Sequence, residues 1–94
     1  MGLFTKEELE TYIKKFLCGL YGQTSGNLDR SANSYDIYVK NISVGAYERP
    51  QYGYHAAQEI LRELKDMGLV QTWNLDQEVR LTSAGLDKCR EICR

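Results

Sequence analysis

Three cysteines and one histidine are the side chains in this chain best suited to covalent or metal chemistry. Cys89 and Cys93 stand one helical turn apart, a spacing that makes half of a zinc site. Zinc commonly needs about four ligands, and the other candidates, Cys18 and His55, form no second pair with metal spacing. His55 has no Ser or Cys partner suggested by sequence, and Gly19, Gly22 and Gly26 make no phosphate-binding fingerprint. Glu7, Glu8 and Glu10 are accounted for by a helix N-terminus, which favours negative charge. The expectation is therefore a protein with no catalytic residues, no cofactor and no metal, not an enzyme. Cys89 and Cys93 read as small apolar side chains for core or dimer packing.

That leaves recognition, and the gross numbers bound what can be recognised. The chain has 94 residues, enough for one domain with one core. Twelve Lys and Arg against thirteen Asp and Glu give a net charge of −1, so any attraction for phosphate must be local. Phe16 to Tyr21, the longest strongly apolar run, is far too short for a bilayer, and the first residues lack a signal-peptide pattern. Met1-Gly2 opens like a myristoylation site, but Lys6 stands where Ser or Thr is wanted. No membrane partner is expected. An odd number of cysteines argues against a disulfide framework and for a reducing compartment, hence a cytoplasmic protein.

The elements that must position a recognition surface are legible in part. Thr5-Lys6-Glu7-Glu8 is a capping box stapled by Phe4 and Leu9. Leu9, Tyr12, Ile13, Phe16, Leu17 and Leu20 then predict an amphipathic helix over 6–21, with Gly22 as its stop. Residues 22–30 are turn formers. Residues 32–44 are ambiguous, because Ala32, Tyr35, Val39 and Ile42 fit a helix while Tyr35, Ile37 and Val39 alternate as a strand does. A short helix ending near Asn41 is favoured. Residues 45–53 hold the only proline and predict a second loop. A third helix follows over 54–67 with Tyr54, Ala57, Ile60, Leu61, Leu64 and Met67 inward and Gly68 as its stop. Val70 to Trp73 and Glu78 to Leu81 form a hairpin, and Thr82 or Ser83 caps a last helix to about Cys93. The fold class expected is mainly α with a small β-hairpin.

One stretch sharpens this. Leu64-Lys65-Asp66-Met67-Gly68-Leu69-Val70, followed by Val79-Arg80-Leu81-Thr82-Ser83-Ala84-Gly85, resembles winged-helix proteins such as the MarR and PadR-like regulators. In those families Leu-x-x-x-Gly-Leu-Val leads from the recognition helix into a hairpin that closes on Leu-Thr-x-x-Gly. The resemblance implies a single winged-helix domain over 1–94, double-stranded DNA as partner, transcription regulation and a homodimer. It departs from the family pattern at the Tyr-rich loop of 45–53 and at a wing that offers Asp76, Gln77 and Glu78 with only Arg80 behind them.

On that reading residues 54–67 are the recognition helix, and Gln51, Tyr52, His55, Gln58, Arg62 and Arg80 are the DNA-binding candidates. Arg62 would read guanine and Gln58 adenine, while Tyr47 and Tyr52 bond phosphates. Glu59, Glu63 and Asp66 would meet the same groove and oppose counterion release. The rival is a protein-interaction module using the Tyr-rich loop 45–54 and the same helix, with Tyr47 and Tyr52 as partner-binding residues. Leu86, Cys89 and Cys93 share a face of the last helix and are the candidate dimer interface. A continuous basic strip joining Lys40, Arg49, Arg62 and Arg80 would favour DNA; an apolar, Tyr-rimmed patch would favour a protein.

Overall fold

A computed structural model describes residues 4–42 and 50–93, and of residues 50–54 the backbone alone. The chain runs α1 (Lys6–Thr24), β1 (Ala32–Asn33), α2 (Ser34–Asn41), α3 (Pro50–Asp66), β2 (Val70–Trp73), β3 (Glu78–Leu81) and α4 (Ser83–Ile92). The capping box forms as the sequence requires: Thr5 Oγ1 accepts from the Glu8 amide at 3.1 Å, and Glu8 Oε1 accepts from the Thr5 amide at 2.9 Å. α1 then continues past Gly22 to Thr24 and ends where Ser25 and Gly26 turn left-handed. Gly22 is therefore no stop, because a glycine ends a helix only where the backbone reverses its sign of φ.

The ambiguous segment is both things in turn. Ala32–Asn33 is a strand and Ser34–Asn41 a helix, and Asn33 marks the change by accepting from the Asp36 amide at 2.9 Å as the N-cap. β1 pairs antiparallel with β3 (Ala32 opposite Val79), and β3 pairs with β2 (Val70 opposite Leu81, Trp73 opposite Glu78). The sheet is thus three-stranded with order β1-β3-β2, where the sequence reading has only a hairpin. A two-residue strand carries too little alternation to be read without its partner.

α3 begins at Pro50, so the second half of the expected loop 45–53 is helical. Proline suits a first helical turn, where its missing N–H has no partner to lose. The first half of that loop, with Tyr47, lies outside the described residues. At the other end Gly68, at φ +74°, donates to Lys65, and Leu69 donates to Leu64, which closes the helix in a Schellman turn. The turn puts Leu69 inward and leaves Met67, expected in the core, 49% exposed.

Phe16, Leu17 and Leu20 of α1, Ile37 and Tyr38 of α2, Ala56, Ile60, Leu61 and Leu64 of α3, Val79 and Leu81 of β3, and Cys89 of α4 bury one common core. The Leu-Thr-x-x-Gly stretch now has a physical reason. Thr82 Oγ1 donates to the Gly68 carbonyl at 2.6 Å and accepts from the Gly85 amide at 3.0 Å, while its own amide donates to Leu69. A Cβ on Gly85 would lie 2.0 Å from the Leu69 carbonyl oxygen. Only glycine lets α4 start against that backbone.

The cysteine arithmetic is corrected here. Cys18 of α1 and Cys93, the C-cap of α4, are joined in a disulfide with Cα atoms 5.4 Å apart, and Cys89 alone is free. An odd count leaves one thiol over without forbidding a pair, so it no longer argues for a reducing compartment. No helix among the described residues is long and apolar enough to cross a membrane.

Candidate functional site

The exposed edge of α3 carries His55, Gln58, Glu59, Arg62, Lys65 and Asp66 at spacings of three and four, one continuous face. Opposite it Ala57, Ile60, Leu61 and Leu64 are engaged in the core. Gln51 and Tyr52 fall in the first turns of this helix, with side chains outside the described set. Of the three carboxylates that threatened the face, Glu63 turns instead toward a groove between α1, α3 and α4, with Ile13 and Met67 among its neighbours.

The hairpin turn is fastened to this face. Asn74, Leu75 and Asp76 are consecutive left-handed residues (φ 51°, 57° and 67°). Asp76 Oδ1 accepts from Thr72 Oγ1 at 2.5 Å and from Lys65 Nζ at 2.9 Å. The Asp76 carbonyl accepts from Ser34 Oγ at 2.5 Å, and the Gln77 carbonyl from the Ser34 amide at 2.8 Å. One aspartate thereby ties the turn to α2 and α3 together. The Thr72 hydroxyl and then the Lys65 ammonium hold its carboxyl below the ordinary carboxylate range, with Arg62 adding a smaller attraction. Asp76, read from sequence as an acidic defect of the wing, spends its charge inside the molecule.

The strand alternation sorts the hairpin's remaining side chains. Val70, Val79 and Leu81 are buried, which places Gln71, Trp73, Glu78 and Arg80 on the outer face. There the Arg80 guanidinium lies over the Trp73 ring at 4.4 Å from its centroid. The expected Arg80 is therefore present on the hairpin but is held by an indole that the sequence reading did not single out. Period-two alternation from buried Val70 was the signal available for Trp73.

Where α2, α3 and the turn meet there is a cleft of about 300 Å³ lined by Tyr35, Gln58, Leu61, Leu75 and Gln77 among others. The structure brings Gln58 to the hairpin, together with Tyr35 and Leu75, neither of which was a sequence candidate. Lys40 lies apart in an ion pair with Asp36 at 3.0 Å, and Arg49 lies outside the described residues. Of the described basic groups, Arg62 and Lys65 lie by Asp76 and Arg80 lies on the outer face of the hairpin.

The candidate dimer stripe is largely used within the chain. Cys89 is 0% exposed with its sulfur 3.7 Å from the Leu17 carbonyl, Cys93 is bonded to Cys18, and Leu86 packs half-buried on the core. Burial pushes the Cys89 thiol up to about 11. Among the described residues no three His, Cys, Asp or Glu side chains gather as a metal would need. No protein-family model, no curated protein and no solved structure matches this chain.

Proposed function

We propose that the chain is a non-catalytic winged-helix domain that binds duplex DNA, of the kind found in MarR and PadR-like transcription regulators, with α3 as recognition helix and the β2–β3 hairpin as wing. The observation that carries this reading is the fastening of the hairpin turn to the exposed face of α3 through Lys65 and Asp76. A helix and a hairpin locked into one surface can lie on neighbouring parts of a duplex without ordering cost at the moment of binding. The return of β1 to the hairpin supports the same architecture.

On this surface Arg62 and Gln58 reach base edges, and His55, with Gln51 and Tyr52 at the start of α3, meets the flanking backbone. Arg80, backed by Trp73, supplies a wing cation. The acidic burden is lighter than the sequence count implies, since Glu63 faces another groove and Asp76 is paired. Glu59 and Asp66 on α3 and Glu78 beside Arg80 on the hairpin remain, which fits weak general affinity and puts weight on base contacts. The reading is tested by titrating random duplex DNA at about 20 mM salt. Binding should fall steeply as salt rises, and Arg80→Ala, which removes the wing cation, should reduce the salt slope by about one. Absence of binding at that salt removes the proposal.

A second reading has its own observation. Tyr35, Val39 and Leu75 are exposed large apolar side chains on α2 and the turn. Such a cluster favours a protein-interaction module, now centred on α2 and the turn, and failure of DNA binding would select it.

A further inference from the structure

The disulfide that joins α1 to α4 can be reached from solvent. Cys18 and Cys93 are both half-buried, whereas Cys89, one turn before Cys93, is sealed in the core. The two half-cystines line a cleft of about 660 Å³ together with Lys14, Lys15, Tyr21 and Ile92. Lys14 and Lys15 are the charged groups among its described lining residues. Neither is held in an ion pair among the described residues. Lys15 Nζ sits 6.0 Å from the centroid of the Tyr12 ring, a contact that leaves its charge in place. Glu10, the carboxylate one turn before Lys14, lines the neighbouring groove between α1, α3 and α4 and not this cleft.

The two sulfurs are not equivalent. Lys14 and Lys15 precede Cys18 by four and three positions, so all three share one side of α1, and a helical side chain leans toward the turn before it. Cations there stabilise a thiolate on Cys18. Cys93 is instead the C-cap of α4, where its amide donates to the Cys89 carbonyl at 2.8 Å. The negative end of the helix dipole disfavours a thiolate at that position, and Arg90, the basic residue of the last turn, does not line the cleft. A disulfide breaks toward the better leaving thiolate, so an attacker adds to Cys93 and Cys18 departs. The same two lysines draw in an attacker that carries negative charge.

We propose that the Cys18–Cys93 disulfide is a thiol-exchange site, at which a low-molecular-weight thiol bearing carboxylates forms a reversible mixed disulfide with Cys93. The incoming thiolate sulfur bonds Cys93 Sγ as the bond from Cys93 Sγ to Cys18 Sγ breaks, and the electron pair leaves on Cys18 as a thiolate beside Lys14 and Lys15. One disulfide is consumed and one is formed. The incoming sulfur is oxidised and the Cys18 sulfur is reduced, so no further oxidant enters the step. Cys18 reverses it by attacking Cys93 and expelling the added thiol. Cys89 takes no part, because burial keeps it a thiol. The exchange turns the α1–α4 staple into a charged adduct at the end of α4, and it is independent of the DNA-binding reading.

The test treats the folded, oxidised chain with glutathione, which carries carboxylates, or with cysteamine, which carries an amine, at equal thiolate concentration. Each rate is divided by that of the same thiol on hydroxyethyl disulfide, which removes intrinsic reactivity. Iodoacetamide quenching followed by peptide mass mapping should find glutathione on Cys93, alkylation on Cys18 and Cys89 untouched. Glutathione should react several-fold faster than cysteamine at low salt, and the advantage should vanish at about 1 M salt, where screening reaches about 3 Å. Lys14→Gln with Lys15→Gln should slow both thiols, glutathione the more, and remove the advantage. Lys14→Arg with Lys15→Arg should restore it, which separates charge from any change in folding. Glutathione on Cys18, equal rates for the two thiols in wild type, or an advantage that survives the Gln variants would overturn the proposal. So would exchange that begins only once denaturant has unfolded the chain.

Discussion

The two ends of this molecule are held by different forces: α4 is fixed on α1 by a disulfide and a buried thiol, whereas the hairpin turn is fixed on α2 and α3 by polar groups alone. At the first end Cys18 and Cys93 close a loop spanning a sequence separation of 75, and Cys89 packs fully buried beneath. At the second, Asp76 accepts from Lys65 and Thr72 while the turn around it stays largely in water. The first arrangement resists unfolding and offers little to a macromolecular partner. The second is held by hydrogen bonds and a partly solvated ion pair, and it brings Gln58 and Leu75 to one cleft with Arg62 near Asp76 and the Trp73–Arg80 pair on the outer face of the hairpin. Stability is concentrated away from the proposed recognition surface, which is the usual division between scaffold and site.

The largest effect should come from cutting the covalent end. Cys18→Ser, or reduction by a dithiol, should lower unfolding stability by about 2–4 kcal/mol, because the unfolded chain regains the entropy of a long loop. Urea midpoints with and without reductant would measure it; equal midpoints would mean the bond adds nothing. The DNA binding proposed above should hardly change in the surviving folded protein, since the bond joins α1 to α4 and not α3 to the hairpin.

The same end should also respond to alkali. An unfolded cysteine ionises near 9.0, while burial keeps the folded Cys89 protonated to about 11. The unfolded state therefore binds fewer protons between those values, and stability falls as pH rises through the window, by about 2–3 kcal/mol in full. Cys89→Ala should flatten that slope in melting temperature against pH. A slope unchanged by the substitution would assign it elsewhere.

Gly85 joins the two ends, since it starts α4 against the Leu69 backbone just after the hairpin. Gly85→Ala should cost about 1–3 kcal/mol through that overlap, despite the better helix propensity of alanine. A neutral result in a denaturant titration would mean that α4 can step back freely.

The polar end should give the smallest changes and one of opposite sign. Leu75→Gly relieves the left-handed backbone and should raise stability by up to about 1 kcal/mol. Asp76→Asn should lose less than about 1 kcal/mol, because its pair with Lys65 is partly solvated. In wild type this contribution is complete above the ordinary value of 3.8 and fades as pH falls through the lower folded value. If Asp76→Asn instead cost several kcal/mol, the contrast between the two ends would collapse.

Local chemistry was enough to determine a good deal from sequence. The capping box at Thr5, both strands of the hairpin, the Gly68 turn and the Thr82 cap each depend on residues within a few positions of one another, so spacing specified them. The outward face of α3 with Arg62 and Gln58 followed from helical periodicity. Tertiary structure decided what sequence separation hides. β1 exists because Ala32 meets Val79 across 47 positions, and Cys18 finds Cys93 only once α4 lies on α1. Likewise, Asp76 looked like a liability until Lys65, Thr72 and Ser34 were brought to it, and the exposure of Leu75 is set by the fold alone. Propensity and capping act through neighbours along the chain; pairing, burial and charge compensation act through neighbours in space, and those the core alone assembles.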